Sequence, residues 1–294
     1  MRVIKPAAIT PAMLVSTSAT ELYGAWSGSV NYALNAHVIS GGRIYLCLRF
    51  DSAPIYPPVS NAVYWMDAGP SNQQAMFDGV VSTATTAANS LTVVLDTGII
   101  NSLALFGLVG TTLTLSATNG AGGPVVYSRS IALDGTIISD WYQYFFEPSV
   151  QLGEAVLTEI PPYGGLRLTL TVTGGTAAIG QIAIGTFYDL GDTQFGATAS
   201  IIDYSVKTTD AYGATTFSRR AFSKRVTARL MLPTGQLNKV QRVLADLRAT
   251  PCAWVGVDDS AYSPLLVYGF YRDFSIEIAY PTESYCSLEI EGLA

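Results

Sequence analysis

Apolar and polar residues alternate at period two over several stretches of this chain. Ser90-Leu91-Thr92-Val93-Val94-Leu95, Thr111-Thr112-Leu113-Thr114-Leu115-Ser116 and Leu166-Arg167-Leu168-Thr169-Leu170-Thr171-Val172 each place aliphatic side chains on one side, as half-buried strands do. Turn signals separate them, among them Asn119-Gly120, Asp134-Gly135 and Gly174-Gly175. This spacing predicts a β-sandwich or jelly-roll-like domain over residues 79–205. No stretch there repeats at helical period over ten or more residues. Residues 1–78 differ in texture. Arg43 to Leu48 reads as a strand after the Gly41-Gly42 turn, Pro54, Pro57 and Pro58 bar regular pairing beyond it, and aromatics punctuate short segments. A small aromatic-rich β module is expected. Residues 206–294 change again. Val226 to Leu232 is strand-like and ends at Pro233, and Leu237, Val240, Val243, Leu244 and Leu247 form a helical stripe. A helix over about 235–249 follows, with Thr234 as its N-cap and Pro251 as its stop. Cys252–Val257, Leu265–Tyr280 and Tyr285–Ile290 then predict an antiparallel sheet carrying that helix. The fold class is mainly β, with an α+β C-terminal domain.

Composition adds a constraint. Of 294 residues, 49% are hydrophobic and 13% charged, against a usual charged share of about 25%. The apolar content excludes a disordered chain, and the scarce charge leaves two options. The exposed surface is built from Ser, Thr, Gly and Tyr, or other subunits cover much of it. A net charge of −6 argues against a sequence-independent nucleic-acid binder. No apolar run reaches the roughly 18 residues of a bilayer helix; the longest, Ile99 to Val109, is broken by Asn101, Ser102 and Gly107. The first residues do not read as a signal peptide. Charge is also unevenly placed. From Phe217 to Arg248 stand Arg219, Arg220, Lys224, Arg225, Arg229, Lys239, Arg242 and Arg248 against Asp246 alone, a net +7 that leaves −13 elsewhere. One reading is a solvated face. The sharper reading is an inter-subunit surface, with Arg219, Arg220, Lys224 and Arg225 at its centre, docking on an acidic face of a neighbour.

Reaction chemistry is hard to find. His37 is the single histidine, no GxSxG elbow accompanies it, and Cys47, Cys252 and Cys286 form no CxxC pair. A buried thiol is expected at Cys286. The nearest carboxylates, Asp189 with Asp192, Asp258 with Asp259 and Glu289 with Glu291, read as turn or surface acids. The glycines of Gly120-Ala121-Gly122-Gly123 open no helix and lack a following Lys-Ser/Thr. No catalytic residue, metal site or cofactor is expected. The aromatics leave two readings open: Trp26, Tyr45 and Trp65 form a platform on which sugar rings stack, or they build the core of a module too small to do without them.

The run Trp26, Tyr32, Val38, Gly42-Arg43-Ile44-Tyr45-Leu46-Cys47-Leu48, Pro54, Pro57-Pro58 and Tyr64-Trp65 resembles small carbohydrate-binding modules of the chitin-binding type over roughly 50 residues. Asn35 stands where that pattern often has Gly, and Leu34 and His37 are atypical. More of the chain resembles tailed-bacteriophage or prophage tail proteins. The residues concerned are Tyr64-Trp65-Met66-Asp67-Ala68-Gly69-Pro70-Ser71-Asn72, Ala75–Gly79, Ile201–Ser205, Leu244–Cys252, Tyr268–Ser275 and Tyr285–Leu293. That resemblance implies a non-enzymatic virion component at the tail tip or baseplate, made in the bacterial host cytoplasm. It implies other tail proteins as partners and a homo-oligomer around the tail axis, with neither nucleic-acid binding nor membrane insertion. The alternative is a receptor-binding tail protein that recognises a host-surface glycan.

Overall fold

The computed structural model describes residues 1–50, 57–136, 138–257 and 260–293; Pro54 and the Asp258-Asp259 pair lie outside them. The chain is mainly β, with 51% strand and 11% helix. The alternating runs form a five-stranded antiparallel sheet in the order Leu14–Thr17, Thr85–Asp96, Leu166–Ile179, Thr112–Asn119, Val125–Ala132. Its inner face carries Leu91, Val93, Leu95, Leu113, Leu115, Leu168, Leu170 and Val172, all fully buried or nearly so. The threonines between them point outward and pair across strands, as Thr92 and Thr171 do through hydroxyls 3.2 Å apart.

Opposite it lies a ten-stranded sheet that draws on the whole chain. Its order is Glu154–Leu157, Ser102–Phe106, Gln181–Asp189, Arg2–Pro6, Cys252–Val255, Leu266–Glu277, Glu283–Gly292, Phe222–Pro233 and Asp192–Thr193, with Thr198–Asp203 also paired to Phe222–Pro233. Directly paired residues share a face, so the register assigns the layers. Leu103, Leu105, Ile182 and Ile184 meet the five-stranded sheet and close a sandwich. On the same face but further along, Cys252, Trp254, Cys286, Leu288, Ile290, Val226 and Leu230 lie under the helix. Ala104 and Phe106 point the other way. Ser102–Phe106 is therefore buried on both sides, which explains why this segment reads as a continuous apolar run rather than an alternation.

The strand Arg2–Pro6 sits mid-sheet, between Gln181–Asp189 and Cys252–Val255. It joins the sandwich half to the helix-covered half, and Val3 and Ile4 are fully buried there. The helical segment runs as a 3-10 turn, Thr234–Gln236, into an α-helix, Leu237–Asp246. Thr234 is not its N-cap: its hydroxyl donates to the Pro281 carbonyl at 3.2 Å and its N–H to Thr282 at 3.0 Å. The start of the helix is anchored there to the connection between Leu266–Glu277 and Glu283–Gly292 instead. At the far end the Leu247 N–H closes on Val243 and Leu244, and Ala249 turns the chain at φ +53° ahead of Pro251.

The large sheet curls into a half-barrel. Its concave face holds Ile4, Ala104, Phe106, Ala183, Ala253, Val255, Leu266 and Tyr268. Backbones approach closely along the curl: a Cβ at Gly185 would overlap the Lys5 carbonyl oxygen, and one at Gly269 that of Glu291. Across the opening, Lys224 Nζ meets Glu154 Oε1 at 2.5 Å and also donates to the Leu266 carbonyl at 3.3 Å. Burial pushes the Glu154 carboxyl above its ordinary 4.5, and Lys224 opposes the rise. A carboxyl whose folded value is raised stabilises the fold most at low pH, and its contribution falls as pH rises through the window above 4.5. Lys224→Met should therefore destabilise the chain by about 2 kcal/mol at neutral pH, because it leaves a half-buried carboxylate without its cation. The deficit should shrink as pH falls toward 4.5 and disappear in Lys224→Met/Glu154→Gln, as read by urea unfolding at several pH values.

Candidate functional site

The aromatic module is a three-stranded sheet, His37–Ser40, Arg43–Cys47 and Trp65–Pro70. Its core is Val38, Tyr45, Cys47 and Trp65, with Trp26, Tyr32, Ala36 and Tyr64 packed around it. Trp65 is 2% exposed and Tyr45 6%, and the Tyr32 ring meets Trp65 edge-on at 5.3 Å. Two of the three rings expected for a sugar platform thus face inward. The reason is size: a three-stranded module buries little surface, and its largest rings supply most of what it can bury. Trp26 remains half-buried at the margin. His37 is exposed at the start of its strand and stacks on Tyr23 at 4.7 Å. Arg43 and Asp67 close the outer surface with a 2.6 Å ion pair.

The basic stretch divides into three. Lys224 is tied to Glu154, and Arg225 pairs with Glu289 at 2.5 Å. Arg229 pairs with Glu277 at 2.9 Å while lying 4.0 Å over the Tyr285 ring. These side chains are spent within the fold, on carboxylates carried by three different strands: Glu154–Leu157, Glu283–Gly292 and Leu266–Glu277. Lys224 and Arg225 therefore do not belong to an open docking surface. Lys239, Arg242 and Arg248 stand on the outer side of the helix. Arg219 and Arg220 are exposed and, among the described residues, engage no ion pair.

These two arginines follow a hairpin, Val206–Thr209 with Thr215–Ser218, that stands off the body. Every residue from 206 to 222 is exposed, including Tyr212 and Phe217. Asp210 shapes its turn by accepting the N–H groups of Tyr212 and Ala214 at 2.9 and 2.8 Å. A second projection interrupts the sandwich between residues 134 and 151, which close its base by an isolated bridge. It carries a short helix, Trp141–Phe146, begun by Asp140, whose carboxylate accepts the Gln143 N–H at 2.8 Å. Its five aromatic side chains, Trp141, Tyr142, Tyr144, Phe145 and Phe146, are 60–79% exposed. The sequence reading above misses this helix because it is shorter than the window in which helical period shows. Its signal was composition: five aromatics in six residues, bracketed by Asp140 and Glu147-Pro148.

Inside the curl lies a cavity of about 290 Å³ lined by Phe106, Glu154, Lys224, Val267, Tyr268 and Leu293. A second, of about 360 Å³, lies on the other side of Glu154. Burial pushes the Tyr268 hydroxyl up to about 12, so this space offers one ion pair and a neutral phenol in an apolar lining. Burial likewise pushes the thiols of Cys252 and Cys286 up to about 12 and about 11, which keeps them protonated and unreactive at neutral pH. Glu289 and Glu291 each hold an arginine, Arg225 and Arg272. Asp189 and Asp192 flank the Met1 amino group, which donates to the Gly191 carbonyl. Among the described residues no three His, Cys, Asp or Glu side chains gather as a metal site, and no helix is long and apolar enough to cross a membrane. The chain matches no protein-family model and no curated protein sequence.

If Tyr45 and Trp65 are core, Trp65→Ala should destabilise the module by about 3–5 kcal/mol and open residues 19–70 to limited proteolysis while the two large sheets stay protected. Trp26→Ala should leave the protease pattern close to that of the parent chain.

Proposed function

We propose that this chain is a non-enzymatic structural component of a bacteriophage tail tip or baseplate, working by assembly with neighbouring tail proteins inside the virion. The observation that carries the assembly half of this reading is the hairpin at 206–218. A two-stranded ribbon with no packed face is marginal in water, yet this one spans four residue pairs and displays Tyr212 and Phe217 to solvent. Such a ribbon is stabilised when another surface covers it. The exposed aromatic helix makes the same demand at a second place, and the low charge of the chain fits a surface that is largely covered in an assembly. The phage half of the reading rests on the resemblance of residues 64–79, 201–205, 244–252, 268–275 and 285–293 to tail proteins.

The test is the particle itself. The chain should be found at fixed stoichiometry in purified virions of the phage or induced prophage that encodes it, and cryo-electron microscopy should place it at the tail end. Arg219→Glu/Arg220→Glu should lower its incorporation at least tenfold without shifting its unfolding midpoint. Absence from purified particles would sink the reading.

A further inference from the structure

We infer that the aromatic helix Trp141–Phe146 of one copy docks on the basic hairpin base, Arg219 and Arg220, of a second copy, giving a head-to-tail contact. This rests on the assembly part of the proposed function and names the partner. Within one chain no hydrogen bond, ion pair or ring contact between described residues joins the two projections, so each reaches outward unmatched. They are complementary in charge. From residue 130 to 166 the chain has Asp134, Asp140, Glu147, Glu154 and Glu159 and no lysine or arginine, and the projection at 134–150 carries −3. The segment 206–222, with Lys207, Arg219 and Arg220 against Asp210, carries +2.

They are also complementary in chemistry. A helix whose side chains are all aromatic but one is stable mainly when those rings are covered, and aromatic faces attract guanidinium groups, by about 0.5–2 kcal/mol per contact. Asp140 and Glu147 bracket the rings, so a pair of adjacent arginines finds carboxylates at the rim and π faces between them. The area is adequate. Five aromatic side chains of roughly 150–250 Å² each, 60–79% exposed, present on the order of 700 Å², against the roughly 800 Å² each partner buries in a stable interface. A bilayer is the poorer fit. Segments that lie in a membrane surface rely on lysine and arginine beside their aromatics, and this projection has only acids. Because the two surfaces differ, the contact is heterologous and repeats from copy to copy, closing into a ring when the rotation permits.

The experiment uses the purified full-length chain. Tyr142 is replaced by the photo-crosslinker p-benzoylphenylalanine, and association is followed by sedimentation. Expected are intermolecular adducts mapping to residues 203–222, and a self-association constant that falls at least tenfold in Asp140→Lys/Glu147→Lys and in Arg219→Glu/Arg220→Glu. Mixing the two variants should restore association, because the reversed helix of one meets the reversed hairpin of the other and the unaltered helix meets the unaltered hairpin, giving assemblies in which the two variants alternate. Unchanged unfolding midpoints show that the variants fold. A chain that stays monomeric at its highest soluble concentration, adducts mapping elsewhere, or no recovery on mixing would overturn the inference. So would binding of the helix to phosphatidylglycerol vesicles in preference to its own copy. A chain that self-associates this way yet is missing from virions would sink the phage assignment and leave this contact standing.

Discussion

In a flat sheet, strands seven places apart lie roughly 34 Å from one another. Glu154 and Lys224 stand on the first and eighth strands of the large sheet, and their charged atoms touch. The coiling that brings them together is the constraint on which the rest of the molecule depends. It turns one face of the sheet inward around Ile4, Phe106 and Tyr268 and bends the other face outward. The outward face is then too long for a single covering layer. The five-stranded sheet covers one half and the helix the other. The ion pair joins the two sides of the curl where the sheet stays open.

This arrangement makes the fold depend on distant pairings. Residues 2–6 complete their ladders with residues 185–189 and 253–255, so the middle of the sheet forms only after most of the chain is present. Topologies of this kind fold slowly. The sheet margins are formed by short strands, Glu154–Leu157 at one side and Asp192–Thr193 with Thr198–Asp203 at the other, and short edge strands offer little ladder to another chain. The two surfaces left open to a partner lie on projections beyond the sheets. That separation allows a partner to bind without disturbing the cores.

The proposed surfaces were legible to different degrees. The basic cluster was visible as charge in sequence, but charge counts do not tell which arginines face a neighbouring acidic strand. Arg225 and Arg229 find carboxylates within the sheet, Glu289 and Glu277, and Arg219 and Arg220 do not. The aromatic module was visible as a string of rings, but whether a ring is a platform or a core depends on what packs behind it. Behind Tyr45 and Trp65 lie Val38 and Cys47. The Trp141–Phe146 helix was present in composition and hidden in period, because six residues complete fewer than two turns.

What sequence alone decides here is local. Period-two alternation fixes which side of each strand is apolar, the stripe from Leu237 to Leu247 fixes the helix, and glycine and proline fix the turns, since each depends on side chains a few residues apart. The tertiary structure decides which strands become neighbours. Nothing near Arg2–Pro6 signals that it belongs mid-sheet rather than in the aromatic module beside it, and nothing near Leu103–Phe106 distinguishes a strand covered on both faces from a buried helix. Those outcomes are set by burial summed across segments up to 250 residues apart, and no window along the chain contains them.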